Sequence, residues 1–199
     1  MFRTLLAALV AVAAIVSAPA ADAAVRPADA GPRATTVFLP SFPIKTTSFR
    51  YVDSWGARRP GGRRHKGTDI HAPKGAPVAA VADGVVTRMK WHRLSGWMIE
   101  IAHPGGWSSV YLHLNNDTPG TDDGEGGPEA AYAPGIEIGS RVEAGQVIAY
   151  VGDSGNAEHT VPHVHFEIRF DGEPVNPYPF LESARIRHRL FVTSAPTPT

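Results

Sequence analysis

The chain has 199 residues, 43% of them hydrophobic, with 19 basic side chains balanced by 19 acidic ones and no cysteine. That is enough apolar material for one globular domain with a sizeable core, and too much for a disordered chain. Zero formal charge leaves no bulk attraction for nucleic acid or an anionic membrane, and the missing thiols exclude disulfides and thiolate metal sites.

Met1 to Ala23 opens with Arg3, continues in an apolar run from Leu5 to Val16 and ends in small residues, with Ala18 and Ala20, or Ala21 and Ala23, in a small-x-small cleavage pattern. This is the layout of a secretory signal peptide, and its apolar run is shorter than the roughly 20 residues a spanning helix needs. Export with cleavage is therefore expected, with no stable membrane insertion afterwards. Residues 24–36 are rich in Ala, Pro and Arg without periodicity and read as a disordered linker; residues 192–199 read as a disordered tail. The folded unit is expected over 37–191.

Inside it, short runs of Val, Ile, Tyr and Trp alternate with Gly, Pro, Asn and Asp, and no stretch carries a helical apolar stripe of convincing length. The fold expected is all-β and mostly antiparallel. Val78 to Val81 and Val85 to Met89 flank Asp83 and Gly84, the residues of a tight hairpin turn, and predict a hairpin. Further strands are predicted at Trp97–Ala102, Trp107–Leu114, Val147–Val151 and His163–Phe170. Asn115 to Ile138, polar and rich in Gly and Pro, reads as a solvated loop of a length that tends to border a site.

The last strand carries the chemistry. Alternation from His163 to Arg169 places His163, His165, Glu167 and Arg169 on one face and Val164, Phe166 and Ile168 on the other, with the two imidazoles about 7 Å apart. Neutral imidazole is a metal ligand, whereas two bare histidines side by side serve a structural strand poorly. Upstream, His65 and Asp69 lie four residues apart, a spacing that keeps both on one strand face, with Gly67 letting the backbone curve. By itself His-x-x-x-Asp is a weak pattern. Combined with the later pair it offers two histidines, one carboxylate and an open position, the donor set of catalytic zinc, able to bring the pKa of a coordinated water to about 7. On the Trp107–Leu114 strand, alternation puts Ser109, Tyr111 and His113 on a polar face.

With these elements in order, the chain resembles the M23 family of zinc metallopeptidases, the lysostaphin and LytM type that cut peptide bonds in bacterial cell-wall peptidoglycan. The resemblance runs from about Arg64 to Pro177 and rests on His65 to Asp69, Ala72 to Gly84, Tyr111 to Leu114, Gly145 to Ile148 and Pro162 to Arg169. It implies a barrel-sandwich hybrid-like domain of two sheets with an open groove. It implies one zinc ion per chain on His65, Asp69 and His165, with His113 and His163 as catalytic residues beside the attacking water and the oxyanion. A secreted, cell-wall-associated, monomeric metalloendopeptidase acting on peptidoglycan stems and crossbridges is then expected, with no nucleic-acid partner. Its rival is a non-hydrolytic relative that binds peptidoglycan or activates another wall hydrolase. A lipoyl or biotin carrier is disfavoured, since no lysine occupies the turn from Gly152 to Asn156.

The chain departs from the family pattern at Val161, before Pro162, and at His71, which faces the way Asp69 does and competes as a ligand; the 115–138 segment leaves substrate choice open. Glu167 is expected to orient a metal-bound imidazole, and His103 to serve a hairpin turn. His159 is expected to sit in a loop near the site. Trp97, Trp107 and Tyr111 are candidates to line a peptide groove.

Overall fold

The structure is a computed structural model and describes residues 39–194, with side chains described for 39–187. The expected leader (1–23), linker (24–36) and last five residues lie outside the described residues. Among the described residues nine strands follow in order: β1 (Thr68–His71), β2 (Pro77–Ala79), β3 (Gly84–His92), β4 (Gly96–Ala102), β5 (Trp107–Leu114), β6 (Arg141–Val142), β7 (Val147–Tyr150), β8 (His163–Phe170) and β9 (Glu173–Val175). Two helices join them, α1 (Gly127–Ala131) and α2 (Tyr178–Ser194). One curled sheet runs β1-β8-β5-β4-β3-β6, with β9 also on β8, and β2 and β7 form a second, two-stranded sheet. Every pairing is antiparallel, so the expected all-β, two-sheet class is the observed one. No described helix is long and apolar enough to cross a membrane.

The core fills the space between the sheets. Val164, Phe166 and Ile168 of β8 are fully buried, as their alternation requires, and they join Ile99 and Ile101 of β4 and Val78 and Ile148 of the small sheet in one cluster. Burying side chains of this kind is worth about 1.5–3 kcal/mol each, which makes the inner face of β8 a principal anchor of the fold.

Three expectations need correction. The hairpin through Asp83 and Gly84 does not form: β2 pairs with β7, and β3 pairs with β4 and β6. Val78, Ala79, Ala80 and Val81 are all fully buried, so this run crosses from one sheet to the other through the core and cannot present the alternating face of a hairpin arm. Gly84 is needed for space, since a Cβ there would lie 2.4 Å from the Ala102 carbonyl oxygen.

The second correction is α2, which carries the folded backbone past Phe191 to Ser194. Its buried stripe in the described part is narrow, Leu181 and Ala184, too little to register as helical periodicity. Other contacts hold it: the Asn176 side chain accepts the Tyr178 backbone N–H, Phe180 meets Trp107 edge-on, and the Tyr51 hydroxyl donates to Glu182 at 2.7 Å.

Third, the 115–138 segment is not simply a solvated loop. Asn115, Asn116 and Asp117 are buried, Tyr132 donates to the Met98 carbonyl at 2.8 Å, and Lys74 reaches Asp117 at 2.7 Å and Asp122 at 2.5 Å.

His103 caps the turn before β5, where expected, but its ring faces inward. One ring nitrogen bonds the Asp83 carbonyl and the other the Ser109 hydroxyl, each at 2.8 Å. Burial pushes its pKa below the ordinary histidine value. The folded protein therefore favours neutral His103, while the unfolded chain takes up a proton near pH 6.5. Its contribution to stability is complete above about pH 6.5 and is lost as pH falls from there toward the depressed folded value. Urea unfolding between pH 7.5 and 4.5 should show this loss, with a shallower slope in His103→Asn; an unchanged slope would remove His103 from the effect. Gly67 generates a second expectation. A Cβ there would stand 2.5 Å from the Phe166 carbonyl oxygen and 2.7 Å from His165 Nε2, so Gly67→Ala must push β1 from β8 and cost about 1–3 kcal/mol in the same assay. Wild-type stability in that variant would mean that the contact relaxes freely.

Candidate metal centre

β8 lies between β1 and β5 along its first half, and this order assembles the site. Register pairs Asp69 of β1 with His165 and His71 with His163, while Leu112 of β5 pairs with His165 from the other side. Asp69 and His165 therefore share a face by strand geometry. His65 does not sit on the same strand as Asp69. It precedes β1, and the chain bends at Gly67 to bring its ring back over the strand.

Three donor atoms converge. His65 Nε2 lies 3.0 Å from Asp69 Oδ1 and 2.9 Å from His165 Nδ1, and His165 Nδ1 lies 2.9 Å from the same Asp69 oxygen. The outward nitrogens fix the tautomers. His65 Nδ1 is 2.9 Å from the Ser54 carbonyl, which can only accept, so that nitrogen carries the hydrogen. His165 Nε2 is 3.1 Å from Glu167 Oε1, and Arg169 holds the carboxylate ionised by donating to its other oxygen, Oε2, at 3.0 and 2.6 Å, so that nitrogen donates as well. Both inner nitrogens then present lone pairs, to each other and to a carboxylate oxygen.

Such a trio is mutually repulsive with nothing between its members, and it suits a cation with bonds of about 2.0–2.2 Å to nitrogen and oxygen. The donor set, two imidazoles and a carboxylate, fits zinc. Asp69 is further committed by Arg59, whose guanidinium bonds the outer oxygen Oδ2 at 2.5 Å and leaves Oδ1 for the site. Burial works to raise the Asp69 pKa, but whenever the inner nitrogen of His165 or His65 carries a proton its hydrogen bond to Oδ1 outweighs burial and holds the carboxyl well below the usual range. For Glu167, too, burial acts upward and is overcome by His165 and Arg169.

His113 arrives by a route that alternation misjudges. Tyr111 pairs with Phe166 and Ser109 with Ile168, so both point into the core, where they are fully buried. Tyr111 accordingly lines no groove; its hydroxyl accepts the Val81 N–H at 3.0 Å. Strict alternation would send His113 inward with them. Instead His113 takes φ 60°, a left-handed conformation costly for a residue with a Cβ, beside a register shift between β4 and β5. This bulge turns the ring to the opposite face. Its centroid lies 5.1 Å from that of His163 and 6.2 Å from that of His165.

His113 Nδ1 donates to the Ser154 carbonyl at 2.9 Å, and His163 Nδ1 donates to the Val161 carbonyl at 2.9 Å, so each leaves Nε2 with its lone pair. Burial is the main force pulling the His113 pKa down to about 4, with His163 and His165 adding to it, so this ring is neutral at pH 7.

His71 stands outside the donor trio and packs beside His163 at 5.3 Å between ring centroids. His159 is exposed in the loop before β8. Arg59, Ser54 and Ser154 are the parts that residue patterns missed. Their contributions come from a loop and from two backbone carbonyls, neither of which leaves a periodic signature.

A second acidic group, Asp117, Asp122 and Glu158, also brings oxygens close together. Lys74 already engages two of its members, its ammonium within 3.0 Å of Asp117, Asp122 and the neighbouring Asp153, and Glu158 is taken by the Asn116 amide.

Comparison with known proteins agrees with this architecture. An L-Ala–D-Glu endopeptidase of Bacillus subtilis is 36% identical over 155 residues, covering 72% of this chain and 43% of its own length. The murein hydrolase activator EnvC of Escherichia coli is 35% identical over 127 residues, covering 64% of this chain and 26% of its own. This chain thus spans less than half the length of either relative. The crystal structure of a zinc-containing peptidase from Vibrio cholerae superimposes with a TM-score of 0.54 at 28% identity, over 69% of this chain and 38% of that one. The family model for peptidase family M23 matches residues 63–124 and 129–177, more than half of the chain and every residue of the donor trio. This protein belongs to peptidase family M23.

Proposed function

We propose that this protein is a secreted zinc metalloendopeptidase that hydrolyses peptide bonds in the stems and crossbridges of bacterial peptidoglycan. The observation that carries the reading is the convergence of two tautomer-fixed imidazoles and one ionised carboxylate within 3.0 Å of one another. In this reading His65 Nε2, Asp69 Oδ1 and His165 Nδ1 hold one zinc ion. When bound there, zinc supplies a Lewis acid that polarises a carbonyl and acidifies water near neutral pH.

The remaining steps belong to the chain's own groups. His113, neutral and with Nε2 open, accepts the proton of the attacking water. Burial resists the charge this creates, and the negative charge developing on the substrate oxygen compensates it. The resulting imidazolium is a hydrogen-bond donor where the oxyanion forms. The proton gained by His113 then passes to the leaving amine through His163, whose open Nε2 receives it and hands it on and whose ring, less buried, stands 5.1 Å away between centroids. Glu167 and Arg169 keep the His165 ring from turning, and Arg59 keeps Asp69 from swinging its second oxygen inward. The protein is read as acting as a monomer in the cell wall after export.

EnvC supports a second reading, in which a member of this fold activates another wall hydrolase. The intact donor trio favours the enzyme. Metal analysis of the purified protein should find one zinc per chain, and purified cell wall should be solubilised in a chelator-sensitive way. Asp69→Ala should lose the metal. His113→Ala should keep it and lose about a hundredfold to a thousandfold in turnover. Full turnover by His113→Ala would remove that residue's role. Failure to bind zinc, together with stimulation of a separate hydrolase, would establish the activator reading.

A further inference from the structure

Beyond the donor trio a depression of about 620 Å³ opens beside the β3–β4 hairpin. Two indoles from neighbouring strands form its floor. Trp91 and Trp97 are directly paired across β3 and β4 and so project from the same face. Trp97 is partly buried and fixed edge-on against Tyr132, with centroids 5.9 Å apart, while Trp91 is 52% exposed. A rigid, half-wet aromatic platform of this kind offers a large apolar face that costs little entropy to use.

The rim is polar and of mixed sign. Arg93 contributes a guanidinium, and Glu125 and Glu158 contribute carboxylates, Glu158 being held by the Asn116 side-chain amide at 3.0 Å. A cationic side chain entering here would face Arg93, and an anionic one would face the two glutamates. A ring of hydroxyls escapes both penalties, because each hydroxyl donates to a carboxylate and accepts from a guanidinium. Its C–H face can meanwhile lie on the indoles. The volume falls within the usual range for small-molecule sites, about 300–1,000 Å³.

The depression also adjoins the chemistry. Gly155, in its wall, follows Ser154, whose carbonyl holds the His113 ring. A Cβ on Gly155 would stand 2.2 Å from the Gly96 nitrogen, so the wall and the hairpin are locked together.

We propose that this depression binds a neutral hexopyranose ring, a sugar unit of the glycan strand from which a stem peptide hangs. The proposal rests on the endopeptidase reading for its place in a reaction, but not for the binding itself. Sugar and scissile peptide would then be gripped on one continuous surface, and the protein would prefer stems still attached to glycan.

Two measurements test this on the full-length, zinc-loaded protein. Titration with N,N′-diacetylchitobiose, followed by the NMR resonances of the indole N–H groups, should shift Trp91 and Trp97 first, and the Trp97 response should be lost in Trp91→Ala. The ratio of kcat/KM for a stem peptide carrying its disaccharide to that for the bare peptide should exceed one by about three- to tenfold, and should collapse toward one in Trp91→Ala but less so in Trp91→Phe. Saccharide binding without cleavage of either substrate would sink the endopeptidase reading and leave the sugar site standing. Equal cleavage of both substrates with no indole shift would overturn the sugar site alone. Indole shifts produced only by the bare peptide would overturn it too.

Discussion

Three electron pairs aimed at one point within 3.0 Å of each other are the constraint on which the rest of this structure turns. Each donor is locked from behind. Ser54 takes the hydrogen of His65, Arg59 takes the spare oxygen of Asp69, and Glu167 takes the hydrogen of His165. Glu167 is in turn held by Arg169, which lies 4.0 Å from Glu100, itself paired with Arg88 at 3.1 Å. The outer supports thus reach from β8 across the sheet to β3. They prevent the donors from relaxing apart, and that is the preorganisation a metal site needs for affinity and for a defined coordination geometry. Because a cation removes the repulsion only in the folded state, its binding free energy adds to folding stability.

β8 can carry this burden because its two faces do different work. Val164, Phe166 and Ile168 tie it into the core, while His163, His165, Glu167 and Arg169 face the site. Strands on both sides fix its register, and a slip by one residue would put three imidazole or carboxylate groups into the core and three large apolar groups into solvent. The functional geometry is therefore protected by the same hydrophobic energy that protects the fold. The left-handed His113 is the exception. It departs from regular sheet to bring its ring to the site face, which alternation after Leu112 would deny it, and its backbone strain is borne by a fully buried neighbourhood that includes Ser154 and Leu114.

That contrast also explains what the amino-acid sequence disclosed. The alternation in β8 was legible because a strand buried on one face writes its geometry directly into residue order. The limits of β5 and β8 were equally plain, since apolar and polar periods coincide with them. Asp83–Gly84 misled because a turn dipeptide marks a change of direction without saying whether the flanking strands pair. The chain here changes sheets. The 78–81 run, apolar at every position, was the sign of a segment buried on both sides. His113 was placed on the right face for the wrong reason: alternation grouped it with Ser109 and Tyr111, both core residues, and a single bulge reversed the assignment. α2 was invisible because its described residues bury only Leu181 and Ala184, with polar and aromatic contacts beside them, and so write no apolar stripe. Arg59 reaches Asp69 from a loop, and no spacing rule connects them.

Among the described residues two clusters crowd anionic or lone-pair groups together, and comparing them shows why one is suited to a metal and the other is not. Around Asp117, Asp122 and Asp153 the excess charge is met internally: Lys74 supplies an ammonium within hydrogen-bond distance of all three, and in doing so staples the 115–138 segment to the turn between β1 and β2. Burial disfavours a charged Lys74, but its three carboxylate partners prevail and keep its pKa above the ordinary lysine value. A divalent ion arriving there would have to displace a covalently tethered cation that costs no translational entropy to hold. Around Asp69 the nearest cation, Arg59, engages only the outer oxygen, and its planar guanidinium cannot reach past the carboxylate to the imidazole nitrogens. The charge on the inner side is left to a ligand from solution. The same physical problem is thus solved by a fixed lysine where the task is to hold a loop. An exchangeable ion is called for where the task is to polarise a substrate, since a tethered ammonium has no coordination position to offer it.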